Sequence, residues 1–268
     1  PGSVQLEDST LLVNGDNISI FQFQDISQLP WATLNIDLVL ECSGAFTDRL
    51  TAEQHILAGA KKVLFSQPAE PNVDATIVIG VNEDSLNGNE TIISNASCST
   101  NCVVPVIKTL HEAFMVEGVV ITTIHSAMND QPVIDAYHHT DLRKTRAAIH
   151  SIIPVDTGLA RGIDRILPHL AGRFEAQAMR VPTLNVSAID LSVVVATSVD
   201  VATINTILQT AASHMPEILG FSSEPLASCD FNHDARSGII DASQTRVAGK
   251  NLVKVLTWFD NEWGFANR

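Results

Sequence analysis

The sequence predicts an α/β protein in which part of a doubly wound parallel-sheet domain is followed by an α+β domain with a mainly antiparallel or mixed sheet. Short apolar strand patterns alternate with a helix pattern in residues 36–95, as they do in α/β layers. After residue 118, long β-branched runs alternate apolar with polar residues, which indicates a sheet with one buried face. This change of pattern places the boundary near Cys98, with domains over 1–97 and 98–260.

The first domain begins its clear pattern at residues 36–42 (IDLVLEC), a continuous apolar run. Such a run predicts a strand that is buried on both faces of a parallel sheet. A helix is predicted over 48–59, with Asp48 as its N-cap and Gly59 as its stop. Further strands are predicted at 61–66, 76–82 and 91–95.

The second domain opens with a helix predicted over 101–117. Apolar residues recur in it at helical spacing: Val104, Ile107, Leu110 and Phe114. Pro105 would fall in the first turn, where a missing N–H is tolerated. Strands are predicted at 118–125, 185–199, 237–247 and 252–260. Helices at about 158–168 and 201–214 would cover the buried face of this sheet.

Composition limits the classes of function. The 268-residue chain is 45% hydrophobic and 17% charged, with a net charge of −14, which suits a globular protein of two domains. This acidic balance, without a basic run, argues against a nucleic-acid-binding surface. No apolar run is long enough to span a membrane. The four cysteines have no C-x-x-C spacing, which argues against zinc and favours a reducing cytoplasm.

Cys98 lies in the segment SNASCSTNC (94–102), where a predicted strand ends and a predicted helix begins. The positive end of a helix dipole lowers the pKa of a thiol, so Cys98 is the candidate nucleophile. The neighbouring Ser97 and Ser99 leave room for a substrate and can donate hydrogen bonds. Cys102, one turn further on, is predicted to be a core residue. Because cysteine is commonly a small buried hydrophobe, position alone does not decide the role of Cys98.

His125 ends the strand predicted at 118–125 and precedes the polar turn SAMNDQ. A histidine at a strand end can face a cleft and serve a cysteine as general base and imidazolium partner. The chain has nine histidines, so a structural role for His125 stays open. Four others lie in helix patterns and are expected at the surface or in satisfied structural positions: His55, His111, His169 and His214.

The basic residues are scarce, sixteen in all, so their grouping carries weight. Three lie together in DLRKTR (141–146): Arg143, Lys144 and Arg146. Thr157 and Gly158 stand where a helix should begin, and Arg180 lies near a predicted strand end. A helix N-terminus with a hydroxyl and an arginine binds anions, although a solvated basic face explains 141–146 equally well. With no G-x-G-x-x-G turn or P-loop, the residues alone predict a cysteine nucleophile, a phosphate-binding surface and no cofactor fingerprint.

Five segments then occur in a specific order: SNASCSTNC, TTIHSAMNDQ, IIPVDTG, RVPTLNVSAIDL and WFDNEWGFANR. Together they resemble the phosphorylating aldehyde dehydrogenases of the glyceraldehyde-3-phosphate dehydrogenase family, along nearly the whole chain. HSAMNDQPVIDAYH and IIPVDTGLARGI are most similar to the branch that oxidises D-erythrose 4-phosphate. Glycolytic members usually have Tyr-Thr where this chain has Ala127-Met128, and Ser-Ser where it has Val155-Asp156.

The resemblance implies a mechanism and a substrate site. Cys98 would attack the aldehyde with help from His125, hydride would pass to NAD, and water would release 4-phospho-D-erythronate from a thioester. Substrate or phosphate would be held by Ser97, Ser99, Lys144, Thr157, Gly158 and Arg180. Lys144 stands where the family has an arginine, and lysine cannot make a bidentate phosphate contact. Met128 replaces a phosphate-holding threonine of the glycolytic enzymes with a thioether that offers almost no hydrogen bond, which fits an aldose phosphate longer by one carbon.

The resemblance also implies an incomplete Rossmann-type NAD domain over 1–97, to which residues 261–268 return. NAD would be lined by Ser43, Gly44, Ser66 and Asn261, and no metal is implied. The family's glycine-rich turn would precede Pro1 and its closing helix would follow Arg268, so we expect a chain truncated at both ends. The complete protein would be a cytoplasmic homotetramer, with 141–160 near subunit contacts, whose product feeds pyridoxine biosynthesis.

Three other interpretations stay open at this point. A phosphorylating glyceraldehyde-3-phosphate dehydrogenase would require inorganic phosphate as the acyl acceptor. Without the glycine-rich turn, the chain as given could be a non-catalytic fragment that is unable to hold NAD. A cysteine hydrolase built on Cys98 and His125 would leave the NAD-lining residues without a role.

Overall fold

The computed structural model describes residues 2–138 and 141–268. Contacts between residues divide the chain into two compact units. The first extends to Ala75 and includes Asn89–Ser94, and the second comprises Thr76–Gly88 and Asn95–Arg268. The predicted α/β class is confirmed, because one unit contains a Rossmann-like parallel sheet and the other a separate mixed sheet.

The first unit begins with an antiparallel meander of three strands, β1 (Val4–Glu7), β2 (Thr10–Val13) and β3 (Asp16–Ser19). Asn14 and Gly15 join the last two with positive φ angles of 53° and 95°, the backbone that a two-residue hairpin turn requires. The patterns considered above do not predict these strands, although the Asn-Gly pair is a hairpin signal.

A small parallel sheet completes the first unit. Its elements in chain order are β4 (Leu38–Glu41), α1 (Arg49–Leu57), β5 (Lys62–Phe65), β6 (Ala75–Thr76) and β7 (Ile92–Ser94). The strand order is β4-β5-β7-β6, and β4, β5 and β7 run parallel. The predicted helix is confirmed with its N-cap, because the Asp48 carboxylate accepts a hydrogen bond from the Thr51 N–H at 2.8 Å.

In this region one strand prediction is wrong, and another is right in position but wrong about burial. The run 36–42 is not buried on both faces: Leu38 and Leu40 are 48% and 59% exposed, while Val39 packs with the core of the unit. The run 76–82 is not a strand beyond Thr76. It folds into turns because the Asn82 side chain accepts from the Val78 N–H at 2.8 Å and Glu83 accepts from the Gly80 N–H at 2.8 Å.

The second unit is built on a seven-stranded mixed sheet with helices against it. Its elements are α2 (Cys98–Phe114), β8 (Val116–His125), β9 (Ile153–Val155), α3 (Leu159–Ile166), β10 (Phe174–Arg180), β11 (Ser187–Val195), α4 (Val201–His214), β12 (Leu219–Ser222), β13 (Gly238–Ala248), β14 (Leu252–Phe259) and α5 (Trp263–Ala266). The strand order is β12-β13-β14-β11-β8-β10-β9. Only β8–β10 and β12–β13 pair in parallel, so the predicted mixed sheet is confirmed.

The helix α2 starts three residues earlier than predicted. The Ser97 hydroxyl caps it by accepting from the Thr100 N–H at 3.1 Å, so Cys98 is its first residue and Pro105 lies in its interior rather than in its first turn. The four apolar residues predicted for its buried face are buried: Val104, Ile107, Leu110 and Phe114. The side of the sheet that packs on the helices carries the main apolar cluster of this unit.

Candidate active site

Cys98 is placed by the cap of α2, because Ser97 ends the preceding segment and the thiol stands on the first helical residue. Cys98 is partly exposed as a residue, although its sulfur is enclosed by neighbouring atoms, whereas Cys102, one turn further on, is 0% exposed. The prediction that Cys102 is a core residue is therefore confirmed. Ser99 lies beside the thiol, with its Oγ 3.9 Å from the Cys98 Sγ.

His125 meets Cys98 from the end of β8. Its Nε2 lies 3.8 Å from the Cys98 Sγ, within hydrogen-bonding range of a sulfur atom. The ring is 8% exposed and stands edge-on to Phe259, with ring centroids 6.3 Å apart. The geometry therefore allows a proton to pass directly between the thiol and the imidazole.

The other ring nitrogen of His125 has two competing partners. Nδ1 lies 2.9 Å from the Ser126 carbonyl oxygen and 2.8 Å from Nη1 of Arg180. The parallel pairing of β8 with β10 sets Arg180 opposite His125. A neutral imidazole carries one N–H. If Nδ1–H donates to Ser126, Nε2 presents a lone pair to Cys98, and if Arg180 donates to Nδ1, Nε2–H faces the sulfur.

The pKa values of the pair shift in opposite directions. Burial raises the pKa of the Cys98 thiol above its usual value, although Ser99 and the charge of Arg180 act against this. Burial lowers the pKa of His125, partly offset by its bond to the Ser126 carbonyl. Burial therefore acts against the predicted lowering of the Cys98 pKa, because desolvation disfavours the charged thiolate. Both shifts favour a thiol and a neutral imidazole over a thiolate–imidazolium pair.

A pocket of about 510 Å³ brings together two of the predicted phosphate-binding residues, Lys144 and Arg180. Arg143 joins them, with three carboxylates: Asp130, Asp141 and Asp156. Arg180 is 5% exposed and bonds Asp130 through Nη2 at 3.2 and 3.3 Å. Its buried Nε has no hydrogen-bond partner among the described residues. The pocket lining therefore combines three cations that could bind an anion with three carboxylates that would repel one.

Thr157 and Gly158 line a second pocket of about 510 Å³, which shares Arg143 with the first and adds Arg161. Gly158 is the N-cap of α3, and the Thr157 Oγ1 accepts from the Leu159 N–H at 3.2 Å. Both residues stand at the helix start, as predicted. Ser97 and Ser99 are absent from the lining of both pockets within the described ranges.

Three of the predicted cofactor residues lie in the first unit, at the carboxyl ends of adjacent parallel strands. Ser43 and Gly44 follow β4, and Ser66 follows β5. The Ser66 N–H donates to the Glu41 carbonyl at 3.1 Å, which keeps the two strand ends in register. The fourth, Asn261, lies in the second unit and is 8% exposed. Its Oδ1 accepts from the hydroxyls of Ser126 and Ser187, each at 2.8 Å.

Residues 97–261, more than half of the chain, match the family model described as glyceraldehyde 3-phosphate dehydrogenase, C-terminal domain. The chain belongs to the glyceraldehyde 3-phosphate dehydrogenase family. Residues 1–49 match the NAD binding domain of the same family. These two matches identify domains of an NAD-dependent oxidoreductase and indicate NAD as the cofactor.

The residues at the strand ends of the first unit fit this cofactor. Ligands of α/β sheets bind outside the carboxyl ends of parallel strands, where Ser43, Gly44 and Ser66 lie. Gly44 has a φ of +71° and no atom within 4 Å of the position that a Cβ would take. Its backbone is therefore open to close approach by a ligand, as dinucleotide-binding turns require.

Sequence reasoning missed several polar residues of these sites. Asp130 binds Arg180, and Ser126 and Ser187 orient Asn261. Asp130 and Ser126 stand in the same TTIHSAMNDQ segment as His125, so the segment could have indicated them. Ser187 stands in the RVPTLNVSAIDL segment with Arg180, but its contact with Asn261 depends on the pairing of β11 with β14.

Membrane-spanning helices and metal-ligand clusters are both absent from the described residues. Within residues 2–138 and 141–268, no helix has the length and apolar character needed to cross a membrane. The same ranges contain no cluster of three or more His, Cys, Asp or Glu side chains that could bind a metal ion.

Proposed function

We propose that this protein catalyses the NAD-dependent oxidation of D-erythrose 4-phosphate to 4-phospho-D-erythronate, with Cys98 as nucleophile and His125 as general base. The observation that carries the proposal is the 3.8 Å approach of His125 Nε2 to Cys98 Sγ in a chain with NAD-dehydrogenase domains. A cysteine paired with a histidine in this way can form a covalent acyl intermediate.

The proposed steps begin with the neutral pair. The Cys98 sulfur adds to the aldehyde carbon while the thiol proton passes to Nε2 of His125, whose Nδ1–H donates to the Ser126 carbonyl. The addition leaves the former aldehyde oxygen as an alkoxide on the carbon bound to Cys98. NAD would supply the hydride acceptor for this carbon, and as the carbonyl re-forms the substrate would remain on Cys98 as a thioester. The imidazolium of His125 next releases the thiol proton to solvent and becomes neutral again. Its Nε2 then takes a proton from water while the water oxygen attacks the thioester carbon, and the carbon–sulfur bond breaks as His125 returns that proton to the departing sulfur. The sulfur leaves as a thiol and the phosphorylated acid is released.

The preference for the four-carbon sugar rests on Met128. Its side chain is 41% exposed and follows the His125–Ala127 segment. Glycolytic relatives usually have threonine here, and a thioether is a poor hydrogen-bond partner for phosphate. Support for phosphate binding elsewhere comes from the pocket that Lys144 and Arg180 line.

Steady-state NADH formation tests the proposal. We expect kcat/KM to be at least about tenfold higher for erythrose 4-phosphate than for glyceraldehyde 3-phosphate, since one chain carbon is worth about this much in a fitted site. Turnover should not require inorganic phosphate. Phosphate-dependent turnover that favours glyceraldehyde 3-phosphate would instead support the phosphorylating enzyme, and no NADH with either aldehyde would contradict both.

The variant Met128→Thr sharpens the same test. Restoring a hydroxyl should raise kcat/KM for glyceraldehyde 3-phosphate about fivefold, the worth of one hydrogen bond. The value for erythrose 4-phosphate should fall or stay unchanged. Ala127→Ser, which adds a hydroxyl one residue away, serves as the control. An equal rise in kcat/KM for both substrates in Met128→Thr would show that Met128 does not determine the substrate preference.

We also propose that the protein assembles as a homotetramer through the segment 141–160. Three large apolar side chains of this segment are exposed: Leu142 (82%), Ile149 (49%) and Ile152 (69%). Light scattering should give four times the chain mass, and Leu142→Glu should lower it. A monomer at micromolar concentration would contradict this part of the proposal.

A further inference from the structure

A buried carboxylate stands directly behind the loop that carries Ser43. Glu41 is the last residue of β4 and is 6% exposed. One of its oxygens, Oε1, accepts hydrogen bonds from the backbone N–H of Ser43 at 2.8 Å and from the Ser43 hydroxyl. The other oxygen, Oε2, lies 3.4 Å from Nε2 of His55. A carboxylate is rarely buried without such partners. Two of the hydrogen bonds that Glu41 accepts come from the same residue, Ser43.

Trp31 determines which ring nitrogen of His55 carries the hydrogen. The indole N–H of Trp31 donates to Nδ1 of His55 at 3.0 Å. An indole nitrogen can only donate, so Nδ1 must present a lone pair. The proton of the imidazole is therefore on Nε2, which faces Glu41 at 3.4 Å. Trp31 and His55 thus place an N–H beside Glu41 from inside the first unit, as an electrostatic contact and not a hydrogen bond.

The Ser43 hydroxyl has a fixed polarity as a result. Its hydrogen is given to Glu41, and its oxygen accepts from the Ala45 N–H at 3.2 Å. A hydroxyl has one donor and two acceptor sites, so one lone pair remains. Ser43 is exposed, and toward solvent or a ligand it can only accept a hydrogen bond.

We propose that Glu41 is a positioning residue for cofactor binding, which makes Ser43 an acceptor-only contact for NAD. This rests on the proposed placement of Ser43 at the NAD site. The group that Ser43 meets is then a hydrogen-bond donor of the dinucleotide, a ribose hydroxyl or an amide or amine N–H. A phosphate, which accepts, does not fit this position.

Glu41→Gln tests the polarity as well as the role. A glutamine that keeps its oxygen toward Ser43 turns its amide N–H groups against the Nε2–H of His55. The opposite orientation donates to the Ser43 hydroxyl and frees its hydrogen. Either change disturbs an acceptor-only contact, so the Kd for NAD, measured by calorimetry on the whole chain, should rise about fivefold. If Ser43 met a phosphate, the freed O–H would instead tighten NAD binding, and that result would overturn the proposal.

A double-mutant cycle separates positioning from a general loss of structure. Ser43→Ala should also raise the Kd about fivefold, and Glu41→Gln in the Ser43→Ala background should add little, because the contact is already gone. The melting temperature should fall with Glu41→Gln in both backgrounds. Equal effects of Glu41→Gln on the Kd with and without the Ser43 hydroxyl would show a merely structural role.

Asp37→Asn provides the matched control. Asp37 directly precedes β4 and makes an exposed ion pair with Lys61, so the same carboxylate-to-amide change should leave the Kd unaltered. Trp31→Phe is a milder variant should Glu41→Gln unfold: it keeps an aromatic ring and removes the N–H that fixes His55. It should raise the Kd about twofold, again only while Ser43 is present, and an unchanged Kd would count against the proposal.

The outcome also distinguishes this inference from the proposed function. Coupled effects on NAD binding in a protein that oxidises neither aldehyde would uphold the role of Glu41 and remove the proposed reaction. Aldehyde oxidation in a protein where Glu41→Gln and Ser43→Ala act independently on the Kd would uphold the proposed reaction and remove the role of Glu41. Failure of the unaltered chain to bind NAD would overturn both.

Discussion

Two buried histidines, one in each unit of this chain, have contrasting neighbours. His125 is 8% exposed and His55 is 5% exposed. His125 has two competing partners on Nδ1, the Ser126 carbonyl and Arg180, and its Nε2 faces a thiol. His55 has one donor on Nδ1, the Trp31 indole, and its Nε2 faces a carboxylate.

The difference lies in whether the proton can move. The two arrangements around His125 let the same ring accept a proton from Cys98 or present one to it, which acid–base catalysis requires. The Trp31 N–H leaves the ring of His55 a single tautomer, so His55 can only present Nε2–H toward Glu41. Burial is nearly equal at the two sites, and the choice of neighbours decides between a reactive pair and a rigid support.

The largest effect should follow from Cys98→Ser, which breaks the reactive side of this comparison. A serine hydroxyl is a far weaker nucleophile than a thiol beside a neutral imidazole. We expect kcat for aldehyde oxidation to fall on the order of 10⁴-fold, with NADH formation as the measurement. Cys229→Ser is the control, because Cys229 is an exposed free cysteine, and it should keep nearly full activity.

His125→Asn should lower kcat/KM by about 10²- to 10³-fold, the usual worth of a general base. Its pH profile is the sharper readout. Because burial lowers the pKa of His125, the unaltered enzyme should keep its rate down to the ordinary histidine pKa and lose it only below. Because the Cys98 thiol has a raised pKa, the variant must rely on scarce thiolate, and its rate should rise about tenfold per pH unit through neutrality. A flat profile for the variant would contradict the assignment.

His55→Asn is expected to have the smallest effect on the reaction. It removes the support of Glu41, so the melting temperature should fall and KM for NAD should rise a few-fold, as for one lost hydrogen bond. Neither kcat nor the acid limb of the pH profile should move, because His55 exchanges no proton with substrate. A shifted acid limb in this variant would erase the distinction between the two histidines.

Much of the fold follows from local sequence patterns. The cap at Asp48 and the apolar face of α2 are local features, and both predictions hold. The strand predicted at 76–82 fails because two side chains, Asn82 and Glu83, bind backbone N–H groups within it. Apolar periodicity does not register such bonds.

The candidate site, too, is predictable from local sequence only in part. Cys98 and His125 stand at the ends of elements that the sequence indicates, and the structure brings them to 3.8 Å. The approach of Arg180 to His125 depends on the pairing of β8 with β10. The contacts from Trp31 through His55 to Glu41 depend on residues that are distant in sequence within the first unit. The raised pKa of Cys98 depends on burial. None of these is encoded in a short segment.

The central claim is a covalent step on Cys98, and rapid quenching with mass spectrometry tests it most directly. The protein would be mixed with NAD and erythrose 4-phosphate, quenched in acid during turnover and digested. We predict an acyl adduct on the peptide that contains Cys98, absent when NAD is omitted and absent in Cys98→Ser. NADH formation with no adduct on Cys98, or with an adduct on another cysteine, would contradict the account.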